Sequence, residues 1–174
     1  MVTDQSFRDL MAGVCAPVTV VTATTADGTP HGATVSAFAS LSLRPPMVTI
    51  ALDRGSVLLG RILESGRLGV NILGRAQDGL ALAFARRAAD RFAGVEWRME
   101  HGLPRLLEAP GWMVCDLAGT VEGGDHLLLL AEVVECATVV AAPLVYGHRT
   151  FGTHSAFERR PRRPITDHVE ACAR

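Results

Sequence analysis

The feature that most constrains this chain is the run GWMVCDLAGTVEGGDHLLLLAEVVECATVV, from Gly111 to Val140. It is rich in β-branched and aliphatic residues and is broken only at Gly123-Gly124. That pattern predicts two long strands joined by a tight turn. Successive side chains on a strand face opposite ways, so Leu127 to Leu130 place leucine on both faces. One face supplies a core. The other needs a cover, from a helix or from a second subunit, and a homodimer is the economical expectation.

The remaining segments agree with a mainly β chain carrying flanking helices. Phe7, Leu10, Met11 and Val14 fall at helical spacing behind Thr3, a good N-cap. PVTVVTATT, the Asp27-Gly28 turn signal and HGATVSAFASLSL read as a β-hairpin. MVTIALD and RLGVNIL read as strands on either side of a short helix, SVLLGRILESG, which ends at Gly66. AQDGLALAFARRAA reads as a second helix with Leu80, Phe84 and Ala88 on one side. RFAGVEW leads through a loop into a short extended piece, and PLVYGHRTFGT into a last short strand and its loop. Hairpin-connected strands imply an antiparallel barrel or sandwich rather than a doubly wound parallel sheet. A single domain over 1–157 is expected, followed by a polar, proline-punctuated tail over 158–174 that opens with ERRPRRP.

Several function classes are disfavoured. A formal net charge of −1 gives no basic face for nucleic acid. No apolar run is long enough to span a membrane as a helix. Cys15, Cys115, Cys136 and Cys172 form no C-x-x-C pair, and their wide spacing suits reduced thiols in a cytoplasm. Neither G-x-G-x-x-G nor a Walker A motif is present. The histidines, including His148 and His154 beside Arg149, show no metal-ligand spacing. Ser36, Asp125 and His126 are the residue types of a hydrolase triad, but no G-x-S-x-G elbow exists, and strand alternation would turn Asp125 away from His126. On residues alone, His126 reads as either a solvated residue beside a turn or a site residue.

In order and spacing, the segments APVTVVTATTADGTPHGATVSAFASLSLRPPMVTIAL, SVLLGRILESGRLGVNIL, AQDGLALAFA, RFAGVEW, GLPRLLEAPGWMVCDLAGTVEGGDHLLLLAEV and PLVYGHRTFG resemble the flavin reductase-like, FMN-binding split-barrel family. The resemblance runs from about Phe7 to Gly152 and closes on G-D-H before a strand. It implies a Greek-key antiparallel split β-barrel, a homodimer, and flavin at or near the subunit interface. The implied activity is reduction of FAD or FMN by NADH or NADPH, with reduced flavin passing to a flavin-dependent monooxygenase. Hydride passing directly from nicotinamide C4 to flavin N5 asks the protein for stacking and orientation, and for no catalytic nucleophile, base or metal.

The resemblance also assigns residues. Thr34, Val35, Ser36 and Ala37, with Ser40 behind them, would carry the polar edge of the flavin ring. Ala37 stands where the family often has serine. Asp53, Arg54, Ser56 and Val57 would form the phosphate loop at a helix start, with Arg91 as a further phosphate ligand. Gly124 and His126 would face the nicotinamide, and Arg149 would help bind the dinucleotide. Phe151 replaces a tyrosine common in the family. Two other classes stay open at this level: a flavin carrier without NAD(P)H turnover, and an interaction domain that has lost flavin.

Overall fold

The structure is a computed structural model that describes residues 1–86, 88 and 90–154. The polar C-terminal tail anticipated above lies outside the described residues.

Helix α1 (Asp4–Ala12) starts where Thr3 predicts, with a capping box between Thr3 and Ser6. Its apolar stripe is formed as expected but stays exposed: Phe7, Leu10 and Met11 are 56%, 72% and 45% accessible. After the short β1 (Ala16–Pro17) come β2 (Thr19–Thr24) and β3 (Pro30–Val35), paired around the Asp27-Gly28 turn. Asp27 Oδ1 accepts from the Thr29 amide at 3.2 Å, and Gly28 takes a φ of 84°, which suits glycine.

The stretch expected as one strand from His31 to Leu43 is two. Strand β3 stops at Val35, and β4 (Phe38–Leu43) pairs instead with β5 (Pro46–Asp53). Helix α2 (Val57–Ser65) is capped by Ser56 and closed by Gly66 at φ 68°. Strand β6 (Arg67–Ile72) follows, then α3 (Asp78–Ala85). Helix α3 is shorter than its periodicity implies. Arg86 is already extended, and its carbonyl accepts from Arg91 Nε at 2.8 Å, so Ala88 lies off the helix and exposed. Strands β7 (Trp97–Glu100) and β8 (Leu103–Leu106) form a hairpin where only one extended piece was expected. The long pair β9 (Gly111–Gly123) and β10 (His126–Thr138) is as read from the sequence. The last segment makes two strands, β11 (Val145–Gly147) and β12 (Thr150–Gly152), which join β1 in a small sheet.

The main sheet has seven antiparallel strands in the order β3-β2-β6-β9-β10-β5-β4. Its two edge strands are consecutive in the chain and linked only by Ser36-Ala37. A link that short forces the edges together at one end, so the sheet curls into a split barrel. Val21, Val35, Ile50, Leu68, Val70 and Leu129 are among the residues that fill it. A second cluster lies under α3, where Phe84 meets Phe92 edge-on at 4.9 Å. Along β10, Leu127 and Leu129 are buried while Leu128 and Leu130 are half-buried on the other face. No described helix is long and apolar enough to cross a membrane.

Candidate functional site

The corner that closes the barrel is exposed. Ser36 and Ala37 are both exposed, whereas the flanking residues are anchored. Val35 sends its side chain into the barrel core, and its carbonyl accepts from Thr19 Oγ1 at 2.7 Å. Thr34 Oγ1 donates to the Ala81 carbonyl at 2.6 Å, tying β3 to α3. Ser36 and Ala37 form one wall of a cleft of about 610 Å³, with Phe7, Met11, Tyr146 and Arg149 among the other residues lining it. That volume suits a flat organic ligand, and side chains no longer than serine let a ring approach the backbone. Ser40 lies beyond, exposed on β4 opposite Val48.

The far end of β3 borders a second cleft, of about 440 Å³, lined by His31, Gly32, Val57 and Arg91 among others. Gly32 lies four residues before Ser36, or about 13 Å at the rise of an extended chain. Arg91 is held by two backbone carbonyls, Gly32 at 2.7 Å and Arg86 at 2.8 Å. A guanidinium has five N–H groups, so these two bonds leave capacity for an anion. Burial, and then the charge of Arg61, hold the His31 imidazole below its ordinary pKa. Ser56 caps α2 by accepting from Leu59 N at 3.4 Å, and Val57 stands exposed at the helix start. Asp53 Oδ1 accepts from the Gly55 amide at 2.7 Å and so shapes the loop into α2.

His126 opens β10 directly after the two-residue loop Gly124-Asp125. Only Gly124 of that pair has positive φ, at 71°, as in a type II′ turn. Asp125 therefore sits in the turn rather than on a strand, and the alternation that was expected to turn it away does not apply. Its Oδ1 lies 2.7 Å from His126 Nδ1, a contact that orients the ring. The hydrogen bond to His126, and then its charge, hold the Asp125 carboxyl below the usual range. Both residues line a third cleft with Phe7 and Arg8.

Phe7 and Arg8 line both this cleft and the one at Ser36-Ala37, so α1 bridges the two. Arg149, at a left-handed φ of 59°, pairs with Asp9 of the same helix. Arg54 does not share the cleft of Arg91. Its side chain turns toward Gly124 and Glu122 at the β9–β10 loop. Ser36 and His126 line different clefts, and no hydrolase arrangement forms. Among the described residues, no group of three His, Cys, Asp or Glu side chains could hold a metal ion. The sequence reading missed Phe7, Arg8, His31 and Tyr146. Tyr146 is the chain's single tyrosine, 5.2 Å from Phe151 ring to ring, and that rarity was the one available signal.

The fold is a mainly β, antiparallel split barrel of the type found in flavin reductases. The family model for the flavin reductase like domain matches residues 11–155. The chain belongs to that family and is an NAD(P)H-dependent flavin reductase. It is 40% identical over 147 residues to the reductase component of 4-nitrophenol 4-monooxygenase/4-nitrocatechol 2-monooxygenase from Rhodococcus opacus, covering 84% of this chain and 78% of that protein. It is 39% identical to an NADH:riboflavin 5'-phosphate oxidoreductase of Streptomyces pristinaespiralis, covering 86% and 87%. Among solved structures, the NADH:FAD oxidoreductase of Streptomyces globisporus C-1027, in complex with NAD and FAD fragments, superposes with a TM-score of 0.81 at 27% identity, covering 92% of this chain and 94% of that one.

Proposed function

We propose that this chain reduces FAD or FMN with NADH or NADPH at the corner between β3 and β4 and releases the reduced flavin to a separate monooxygenase. The observation that carries this is the convergence on α1. Ser36, Ala37 and Arg149 share one cleft with Phe7 and Arg8, and Asp125 and His126 share another with the same two residues. When bound, the flavin ring accepts hydride from a dihydronicotinamide, so the chain's residues have only positioning work.

Ser36 and Ala37 offer accessible backbone to the polar edge of the ring. Thr34 and Val35 hold that backbone in place through the Ala81 and Thr19 hydrogen bonds. Ser40 continues the same edge. Ser56 and Val57 at the start of α2, with the loop set by Asp53, and Arg91 across from them receive the phosphate. Gly124 keeps the approach to the nicotinamide open, His126 contacts the nicotinamide, and Arg149 meets the rest of the dinucleotide.

The active form is a homodimer. The support is the amount of apolar surface this chain leaves uncovered. Besides α1, Leu43, Val139 and Val140 are 79%, 66% and 98% accessible. Free Cys15, Cys115 and Cys136 suit a reducing cytoplasm. The test is steady-state oxidation of NADH and of NADPH with FAD, FMN and riboflavin in turn. Flavin-dependent oxidation is expected. A protein that binds flavin yet oxidises neither nucleotide is a carrier instead, and one that binds no flavin overturns the reading altogether.

A further inference from the structure

The Gly124-Asp125 turn is the tip of the longest hairpin in the described residues, and little covers it. Val121, Glu122, Gly123, Gly124 and Asp125 are all exposed. A two-residue tip at the end of an exposed stretch has few means of holding one geometry. Arg54 supplies them. Its amide donates to the Asp125 carbonyl at 3.1 Å, and its Nε donates to the Gly124 carbonyl at 2.9 Å. Its terminal nitrogen pairs with Glu122, on the β9 side of the same turn. The β5–β10 register sets Asp53 opposite His126, so Arg54 leaves β5 directly beside the turn.

From this geometry we infer that Arg54 is a positioning residue for the nicotinamide site, acting through the turn that carries His126, and is not a phosphate ligand. The inference rests on the placement of His126 against the nicotinamide. The fork of a guanidinium explains the residue type. One planar group bonds a carbonyl in the turn and a carboxylate on β9, which a lysine ammonium reproduces poorly. The local charge agrees. Glu122 and Asp125 are anionic neighbours of Arg54 and would repel a phosphate from it. Arg91 has carbonyls as its partners, and the carboxylate that lines its cleft, Asp90, accepts instead from the Phe92 and Ala93 amides. Asp125 then fixes the tautomer, because accepting from Nδ1–H leaves Nε2 as the free ring nitrogen.

The experiment compares Arg54→Ala, Arg54→Lys, His126→Ala and the double variant Arg54→Ala/His126→Ala in the full chain. The readouts are the KM for NADH, kcat, and the dissociation constants for FMN and riboflavin by fluorescence quenching. Small misplacements of positioning groups cost up to ~100-fold, so Arg54→Ala should raise the KM for NADH roughly tenfold with little change in kcat. Arg54→Lys should recover only part of that. The FMN-to-riboflavin affinity ratio should stay at the wild-type value. The double variant should be no worse than His126→Ala, because both act on one device. If Arg54→Ala weakens FMN but not riboflavin, Arg54 is a phosphate ligand and the inference falls. If its effect on NADH adds to that of His126→Ala, it does not act through the histidine. A normal KM for NADH in His126→Ala defeats the reading of His126 itself. A raised KM in that variant with a normal KM in Arg54→Ala defeats only the role given to Arg54.

Discussion

Removing the Arg91 guanidinium tests the proposed phosphate cleft. Arg91 is half-buried, and two of its five N–H groups are committed to the Gly32 and Arg86 carbonyls. A charged hydrogen bond is worth about 1.5–3 kcal/mol, and about 1.4 kcal/mol is a factor of ten in affinity. Arg91→Ala should therefore weaken FMN roughly 10- to 150-fold. Riboflavin carries no phosphate and serves as the internal control. Its affinity should move by less than about threefold, since a substitution away from the ring leaves packing at the corner alone. Loss of the Gly32 bond could shift β3, but that would weaken both flavins together. Arg91→Lys retains the charge without the fork and should fall between. The assay is flavin fluorescence quenching at low and high salt, and the charged part of the loss should shrink with salt. Equal weakening of FMN and riboflavin would refute a phosphate role and leave Arg91 as a brace for β3.

Three further outcomes are expected. Asp125→Ala should raise the KM for NADH while leaving flavin affinity unchanged, since the side chain of Asp125 bonds the His126 ring and the Arg54 amide uses only its backbone carbonyl; an unchanged KM would show that the 2.7 Å contact orients nothing of use. Gly69→Ala should destabilise the fold by roughly 1–3 kcal/mol, because a Cβ there would meet Trp112 at 2.5 Å and Thr22 Oγ1 at 2.6 Å, whereas Gly79→Ala on α3 meets nothing within 4 Å and should be neutral or stabilising; thermal melts would separate the two. Burial pushes the Cys115 thiol up to about 12 from an unfolded value of 9.0. The folded state keeps that proton while the unfolded state loses it, so stability should fall as pH rises between those two values, and Cys115→Ala should flatten that fall in urea titrations.

The sequence makes some of this architecture readable and hides the rest for definite reasons. Thr3, Ser56 and Gly66 mark helix ends through local chemistry, and the structure places the ends there. The long hairpin is legible because two runs of 13 residues, rich in β-branched and aliphatic side chains, flank one short glycine-led break. The break at Ser36-Ala37 is hidden because small residues continue the alternation across it. Only pairing with opposite edges of the sheet divides β3 from β4, and that information is long-range. Strand β8 is hidden by Pro104 within it, and its pairing is decided by β7. The Asp125–His126 contact escaped a rule for strands because Asp125 belongs to a turn. The bond between Arg54 and Gly124 joins residues 70 positions apart, so no local pattern pointed to it.

Reduction of free flavin by NAD(P)H is the central claim, and anaerobic single-turnover mixing tests it most directly. Protein and FAD or FMN are mixed with NADH labelled with deuterium at nicotinamide C4, and the visible flavin absorbance is followed. One NADH should be consumed per flavin bleached, and the deuterated donor should react more slowly. Reduced flavin should then pass through a membrane that retains the protein. Bleaching no faster than the protein-free mixture, or reduced flavin that never leaves the protein, would contradict the account.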